Sequence, residues 1–276
     1  MALELGHPED AQYYAAQAER IKTAFNAKFL FENKTYRGED NFNRPTQTAM
    51  AMALDLGLCP EAAREGVVQT LLADIRQNEG HLTTGVCGTK CLLSALCENG
   101  KEEVAYGLAT QTTYPSWGKW IVDGLNTCCE FWDGSKSSGI YYLGGPLDAY
   151  LYRELAGIYP TKPGYEEFAV KPRVKNDLTH VSASVNTLRG KVAVAWSKPG
   201  PKQFALDVTV PVNAKATVYI PTAGPGTAAA VISENGLVIW NHGKATKNAP
   251  AISITGVQED YVICSVGSGS YHFVLK

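Results

Sequence analysis

A helical domain followed by an antiparallel β-sandwich is the fold that this sequence predicts, on three observations. Up to about residue 159 apolar residues return at helical spacing, and the connections between helical segments are short. From Tyr159 onward the period drops to two, in runs such as KVAVAW, FALDVTV and DYVICSVG separated by Gly, Pro and Asn. With 276 residues, 45% hydrophobic and 19% charged, the chain is long enough for two ordinary domains and too apolar for disorder. The expected boundaries are 1–159 for the helical domain and 160–276 for the sandwich.

The first helix runs from Pro8 to about Lys28, with Tyr13, Ala16, Ile21, Ala24, Phe25 and Phe29 returning to one side. Residues 30–43 are rich in Asn, Asp and Gly and read as a loop with at most a short hairpin. Pro45 opens a helix, TQTAMAMALDLG, that is apolar almost all round and so is expected inside, with Gln47 as a cap or bridge within the helical layer. A third helix follows Pro60, a fourth begins near Gly88 or Thr89, and a fifth covers Lys101 to Thr110. The last spans Gly145 to about Gly157, with Leu147, Tyr150, Leu151 and Leu155 inward and Arg153 and Glu154 on a solvated face. PTKPGYEEFAVKPRV is a proline-spaced connector holding one strand, and about eight or nine short strands follow, the count of a two-sheet sandwich.

Composition excludes several function classes. A net charge of -2 and a pI near 6.2, with Lys and Arg scattered, argue against a nucleic-acid surface. No apolar run reaches the ~18 residues of a membrane span. The opening MALELGHPEDAQ has neither a basic nor an apolar leader region, and the seven cysteines are an odd number, so a reducing, cytoplasmic setting is expected for the chain as given. Cys87 and Cys91 have loose zinc-ligand spacing but no second ligand pair follows, and no phosphate or dinucleotide fingerprint is present; neither a metal nor a cofactor is expected.

Chemistry concentrates between Thr113 and Asp133, in TYPSWGKWIVDGLNTCCEFWD. The stretch holds Trp117, Trp120 and Trp132, three of the five tryptophans, together with Tyr114 and Phe131. Among them sits one carboxylate, Glu130, between Cys129 and Phe131. A carboxylate with aromatic neighbours is a candidate for a raised pKa and acid–base work, and flat aromatic faces are what a sugar ring stacks on. The competing reading is an aromatic core with one tethered Glu.

Six phrases in order resemble one family: Gln47 within PTQTAMAMALDLGL, GHLTTGVCGTKCLLSAL (80–96), TTYPSWGKWI (112–121), TCCEFWD (127–133), GGPLDAYLYRELAGI (144–158) and PGYEEFAVKPRV (163–174). The chain is similar to the inverting, bacterial-type α-L-rhamnosidases over residues 10–220 or so. The resemblance implies the second half of an (α/α)6 barrel followed by a C-terminal β-sandwich, and a substrate that is a rhamnose-containing glycoside or oligosaccharide. It places the general base on Glu130. It also puts Trp117, Trp132 and Tyr114 along the sugar pocket, His81 near its rim, and Asp133 among the substrate-binding residues. In an inverting glycosidase one carboxylate deprotonates water while a second acid ~6.5–9.5 Å away protonates the leaving oxygen. The methyl group of this 6-deoxy sugar suits aromatic walls.

Two departures from the family stand out. Six or seven helices are expected here, about half a complete barrel, and the family's general acid belongs to the earlier half. Glu32, Glu39 and Asp40 read as solvated loop charges. After the base, the family's Asn-His pair is replaced by Gly139-Ile140. Half a barrel leaves an apolar edge, expected to be covered by a second copy of the chain or by the missing N-terminal half. A catalytically inactive carbohydrate-binding or structural fragment is the alternative to a hydrolase.

Overall fold

The computed structural model describes residues 1–38, 44–135, 142–174, 177–200, 202–222, 227–246 and 251–276. The chain divides into two compact units, Met1–Leu147 and Asp148–Lys276. The family-like order holds: helices first, then sheets.

The helical unit begins with α1, Pro8–Phe29, whose Pro8 at the first turn and Glu9 and Asp10 beside it are favourable helix-start residues. No residue of α1 is buried, so its expected inner stripe faces solvent, with Tyr13 60% and Ile21 65% exposed. Only its C-terminal turns pack. Phe25 stacks on Tyr36 with ring centres 5.5 Å apart, and Asn26 accepts a 2.5 Å hydrogen bond from the Tyr36 hydroxyl. Tyr36 lies on a small hairpin, β1 (Leu30–Phe31) and β2 (Thr35–Tyr36), that turns through Glu32 and Asn33 at positive φ.

Next come α2 (Gln47–Asp55), α3 (Glu61–Gln77), α4 (Val86–Glu98) and α5 (Glu102–Ala109). The Thr46 hydroxyl caps α2 by accepting from Ala49 N at 3.1 Å. As expected from its all-round apolarity, α2 is an interior helix that buries Gln47, Met50, Ala51, Ala53 and Leu54. Leu71 and Ile75 of α3 and Leu92, Leu93 and Leu96 of α4 are buried around it. The start of α4 lies ahead of Gly88 because that glycine serves inside the helix. A Cβ there would sit 2.3 Å from Thr48 Oγ1, so its absence lets α4 approach α2. Short α6 (Trp117–Val122) is capped by the Ser116 hydroxyl, and α7 (Gly144–Tyr150) runs on into a π turn, Leu151–Leu155.

That π turn corrects one expectation. Its i to i+5 bond, Ala156 N to Leu151 O at 3.0 Å, inserts an extra residue per turn and changes the face that each side chain presents. Glu154 is consequently buried, 3.2 Å from the buried guanidinium of Arg173, instead of lying on a solvated face.

The second unit contains two sheets. β3 (Ile158–Pro160) and β4 (Glu167–Val170) flank a 3-10 turn in the proline-spaced connector. Beyond them lie β5 (His180–Thr187), β6 (Gly190–Gly200), β7 (Gln203–Val210), β8 (Lys215–Pro221), β9 (Val231–Glu234), β10 (Leu237–Asn241), β11 (Lys244–Ala245), β12 (Ile252–Gln258), β13 (Tyr261–Val266) and β14 (Gly269–Leu275). One sheet has the order β11-β10-β9-β14-β7-β6-β5 and the other β12-β13-β8-β4-β3. Every ladder is antiparallel except β4 with β8. Alternate residues form one core: Val192, Val194 and Trp196 of β6, Phe204, Leu206 and Val208 of β7, and Val218, Ile220, Val262 and Cys264 of the other sheet. All seven cysteines are free thiols, five of them buried; Cys128 is half-buried, and Cys87 is exposed on α4.

Candidate functional site

Three indoles interlock around the segment that carries Glu130. Trp117 and Trp120, each 3% exposed, project inward from α6. Trp132 stacks on Trp120 with ring centres 5.1 Å apart and meets Trp117 edge-on at 5.2 Å. Each indole N–H donates to a backbone carbonyl: Trp117 to Leu143 O at 2.6 Å, Trp120 to Trp132 O at 3.0 Å and Trp132 to Thr84 O at 2.7 Å. Segments that have neither helix nor strand to satisfy their backbone are thus pinned by side chains.

Within the loop, burial differs from one side chain to the next. Cys129 is fully buried, Glu130 half-buried, Phe131 48% exposed and Trp132 half-buried. Cys128 lies against Gly144 so closely that a Cβ on the glycine would be 2.7 Å from its Sγ. Together these contacts hold Glu130 at the edge of the aromatic cluster, partly open to solvent.

The other candidates fall into two groups. His81 and Tyr114 belong to segments tied to the cluster. His81 Nδ1 is 3.1 Å from Asn78 O and its Nε2 is 2.7 Å from the Thr113 hydroxyl, next to Tyr114. A carbonyl only accepts, so Nδ1 carries the proton. Tyr114 itself is 58% exposed. Asp133, by contrast, is turned into its own loop. Its Oδ1 accepts from Ser135 N at 2.9 Å, and hydrogen bonds from the Ser135 hydroxyl and amide hold its carboxyl below the usual range.

Trp117 is enclosed in the helical unit, and its part here is to anchor the wall that Trp132 shares. Glu32 is exposed and paired with Lys34 at 2.5 Å. Glu39, Asp40 and the Gly139-Ile140 departure lie outside the described residues. Sequence reasoning assigned Gln47 only a bridging place, yet its side chain is the polar centre of this region, fully buried with three hydrogen bonds. A lone amide in an otherwise apolar helix was the available signal.

Known proteins resemble the chain in both of its units. The model of the bacterial α-L-rhamnosidase six-hairpin glycosidase domain matches residues 1–155, and that of the bacterial α-L-rhamnosidase C-terminal domain matches residues 157–233. An α-L-rhamnosidase of Streptomyces avermitilis is 30% identical over 285 aligned residues, covering 100% of this chain and 25% of the relative. One from Formosa agariphila is 34% identical over 228 residues, covering 79% of this chain and 24% of the relative. The chain therefore spans about a quarter of the length of these relatives. Among solved structures, the α-L-rhamnosidase of Dictyoglumus thermophilum superposes over 100% of this chain and 30% of its own, with a TM-score of 0.86 and 33% identity. The Streptomyces avermitilis enzyme complexed with L-rhamnose superposes over 100% of this chain and 25% of its own, with a TM-score of 0.83 and 29% identity. Two consecutive domain matches and a helices-then-sheets fold shared along the whole chain lead to one conclusion: this protein belongs to the bacterial α-L-rhamnosidase family.

Proposed function

We propose that this chain supplies the water-activating wall of a site that hydrolyses terminal α-L-rhamnosyl linkages with inversion, and that Glu130 is the general base. The observation that carries this reading is the setting of Glu130: a half-buried carboxylate on a loop clamped at Trp132 by two indole-to-carbonyl bonds. A base must be held in place and still reach water, and this loop offers both. Trp132, Tyr114 and the rim at His81 form the sugar-facing side in this reading, and the relative complexed with L-rhamnose supports the choice of sugar.

The proton donor belongs, in this proposal, to a part outside the described residues. Of the carboxylates flanking the loop, Asp123 is paired with Lys119 and Asp133 caps its own turn. The exposed apolar residues of α1 and the exposed side chains of Ile121, Val122 and Phe131 mark where the complementary part, or a second copy, would seat. The fragment reading is favoured by one observation: the tryptophan cluster is bonded throughout to backbone, as a purely structural core would be.

The test is release of p-nitrophenol from its α-L-rhamnoside by the purified chain and by Glu130→Gln. Activity above the buffer blank that drops about 100-fold or more in the variant supports the base. Equal rates remove Glu130 from that role. No turnover by either, with L-rhamnose binding retained, supports the binding-fragment reading.

A further inference from the structure

We propose that Gln47 is a positioning residue for the Glu130 loop, acting at a distance through the 81–84 segment and the indole of Trp132; its bearing on catalysis rests on the reading of Glu130 given above. Gln47 is completely buried on α2, and its carboxamide is fully used. Nε2 donates to Asp74 Oδ1 at 2.9 Å and to His81 O at 3.1 Å, and Oε1 accepts from Thr83 N at 2.8 Å. A side-chain amide has two hydrogens and one oxygen, and all find partners.

The two backbone bonds grip a stretch that has no regular structure of its own, residues 81–84. One residue beyond the gripped Thr83 N–H, Thr84 O receives the Trp132 indole at 2.7 Å. Thr84 is held from its other side by its hydroxyl, 2.7 Å from that of Thr89. The link therefore runs from α2 through a fixed carbonyl to Trp132, two residues along from Glu130. Asp74 steadies the near end, because its Oδ1 also accepts from Asn78 Nδ2 at 3.0 Å. Few side chains could replace Gln47. Met has the length but leaves the Thr83 N–H and the His81 carbonyl without partners. Glu keeps the acceptor but loses both donors and faces Asp74 with a second carboxylate.

The indole resonances of the 15N-labelled full chain test the link, because each of the five tryptophans reports separately. Trp132→Phe assigns the key signal. Trp196 and Trp240, whose indoles donate to Leu155 O and Thr227 O, are controls for the second unit, and Trp117 is the control for the helical one. In Gln47→Met the Trp132 indole is expected to shift and to exchange with deuterium about 10-fold faster or more, with Trp117, Trp196 and Trp240 in place. Gln47→Glu, which keeps the acceptor for Thr83 N–H but sets a carboxylate against Asp74, is expected to do the same. An unchanged Trp132 signal in both variants overturns the proposal. So does loss of the Trp117 signal in both, which would make Gln47 a general core residue. Where the chain turns over rhamnoside, Gln47→Glu is expected to lower kcat about 10-fold with little change in KM. If Glu130→Gln proves silent, the base assignment fails while the indole result still judges the link.

Discussion

Glu154 and Arg173 make the most consequential single contact in the second unit. Both side chains are 5% exposed, and Arg173 N also donates to Glu154 O at 2.8 Å. A charge left alone in such a place costs far more than the pair contributes. Glu154→Gln or Arg173→Met is therefore expected to lower unfolding free energy by about 3–5 kcal/mol in urea titrations, and the double apolar variant by much less. Equal losses for single and double variants would show that the charge is not the issue. The sequence pointed the other way here, because helical periodicity puts Glu154 outside and nothing in LYREL announces a π turn. At Glu130 and Trp132 residue type singled out a position, an acid among aromatics, whose half-buried setting the structure describes. For Trp117 and Trp120 residue type alone did not separate a sugar wall from a core, and only burial did.

At the level of elements, α1 is where pattern and structure part. Its apolar spacing promised an inner face, yet no α1 residue is buried and Tyr13, Tyr14 and Ile21 are each at least 60% exposed. Among the described residues only its C-terminal turns find partners, at Tyr36 and Leu58. Self-association of the isolated chain is the expected result. Sedimentation should show concentration-dependent oligomers that Tyr14→Glu combined with Ile21→Lys disperses. A monomer at all concentrations would mean that this face is tolerated in water. The hairpin of β9 and β10 went unnoticed, although Asn235-Gly236 between apolar runs is a strong turn signal and both residues take positive φ. The sandwich strands with strict alternation were legible because each has one face in the core and one outside.

For the whole molecule, the order of helices before sheets was readable because the hydrophobic period changes once, near Tyr159. The division into compact units lies at Leu147, and the matched domains meet between residues 155 and 157. The two units differ in self-sufficiency. Residues 148–276 enclose a continuous core drawn from both sheets, whereas the helical unit leaves α1 bare. Expressed alone, residues 148–276 should give a β-type circular dichroism spectrum and one cooperative melting transition. A broad, non-cooperative melt would show that the sheets depend on the helices. What the sequence could not display is the tie between Gln47, Thr84 and Trp132, since its members are 37 and 48 positions apart along the chain and meet only when folded.

The engagement of all three indole N–H groups by backbone carbonyls has a consequence for selectivity. In the proposed site the half-buried Trp132 would meet a sugar with its ring face alone, because its N–H is already given to Thr84 O. L-Mannose differs from L-rhamnose by one hydroxyl at C6, and an apolar surface discriminates against an added hydroxyl by only about 100-fold. Any sharper choice between those two sugars has to come from polar groups elsewhere. On the proposed reading Trp132 alone of the three sets the shape of the guest, and its identity is read by other hands.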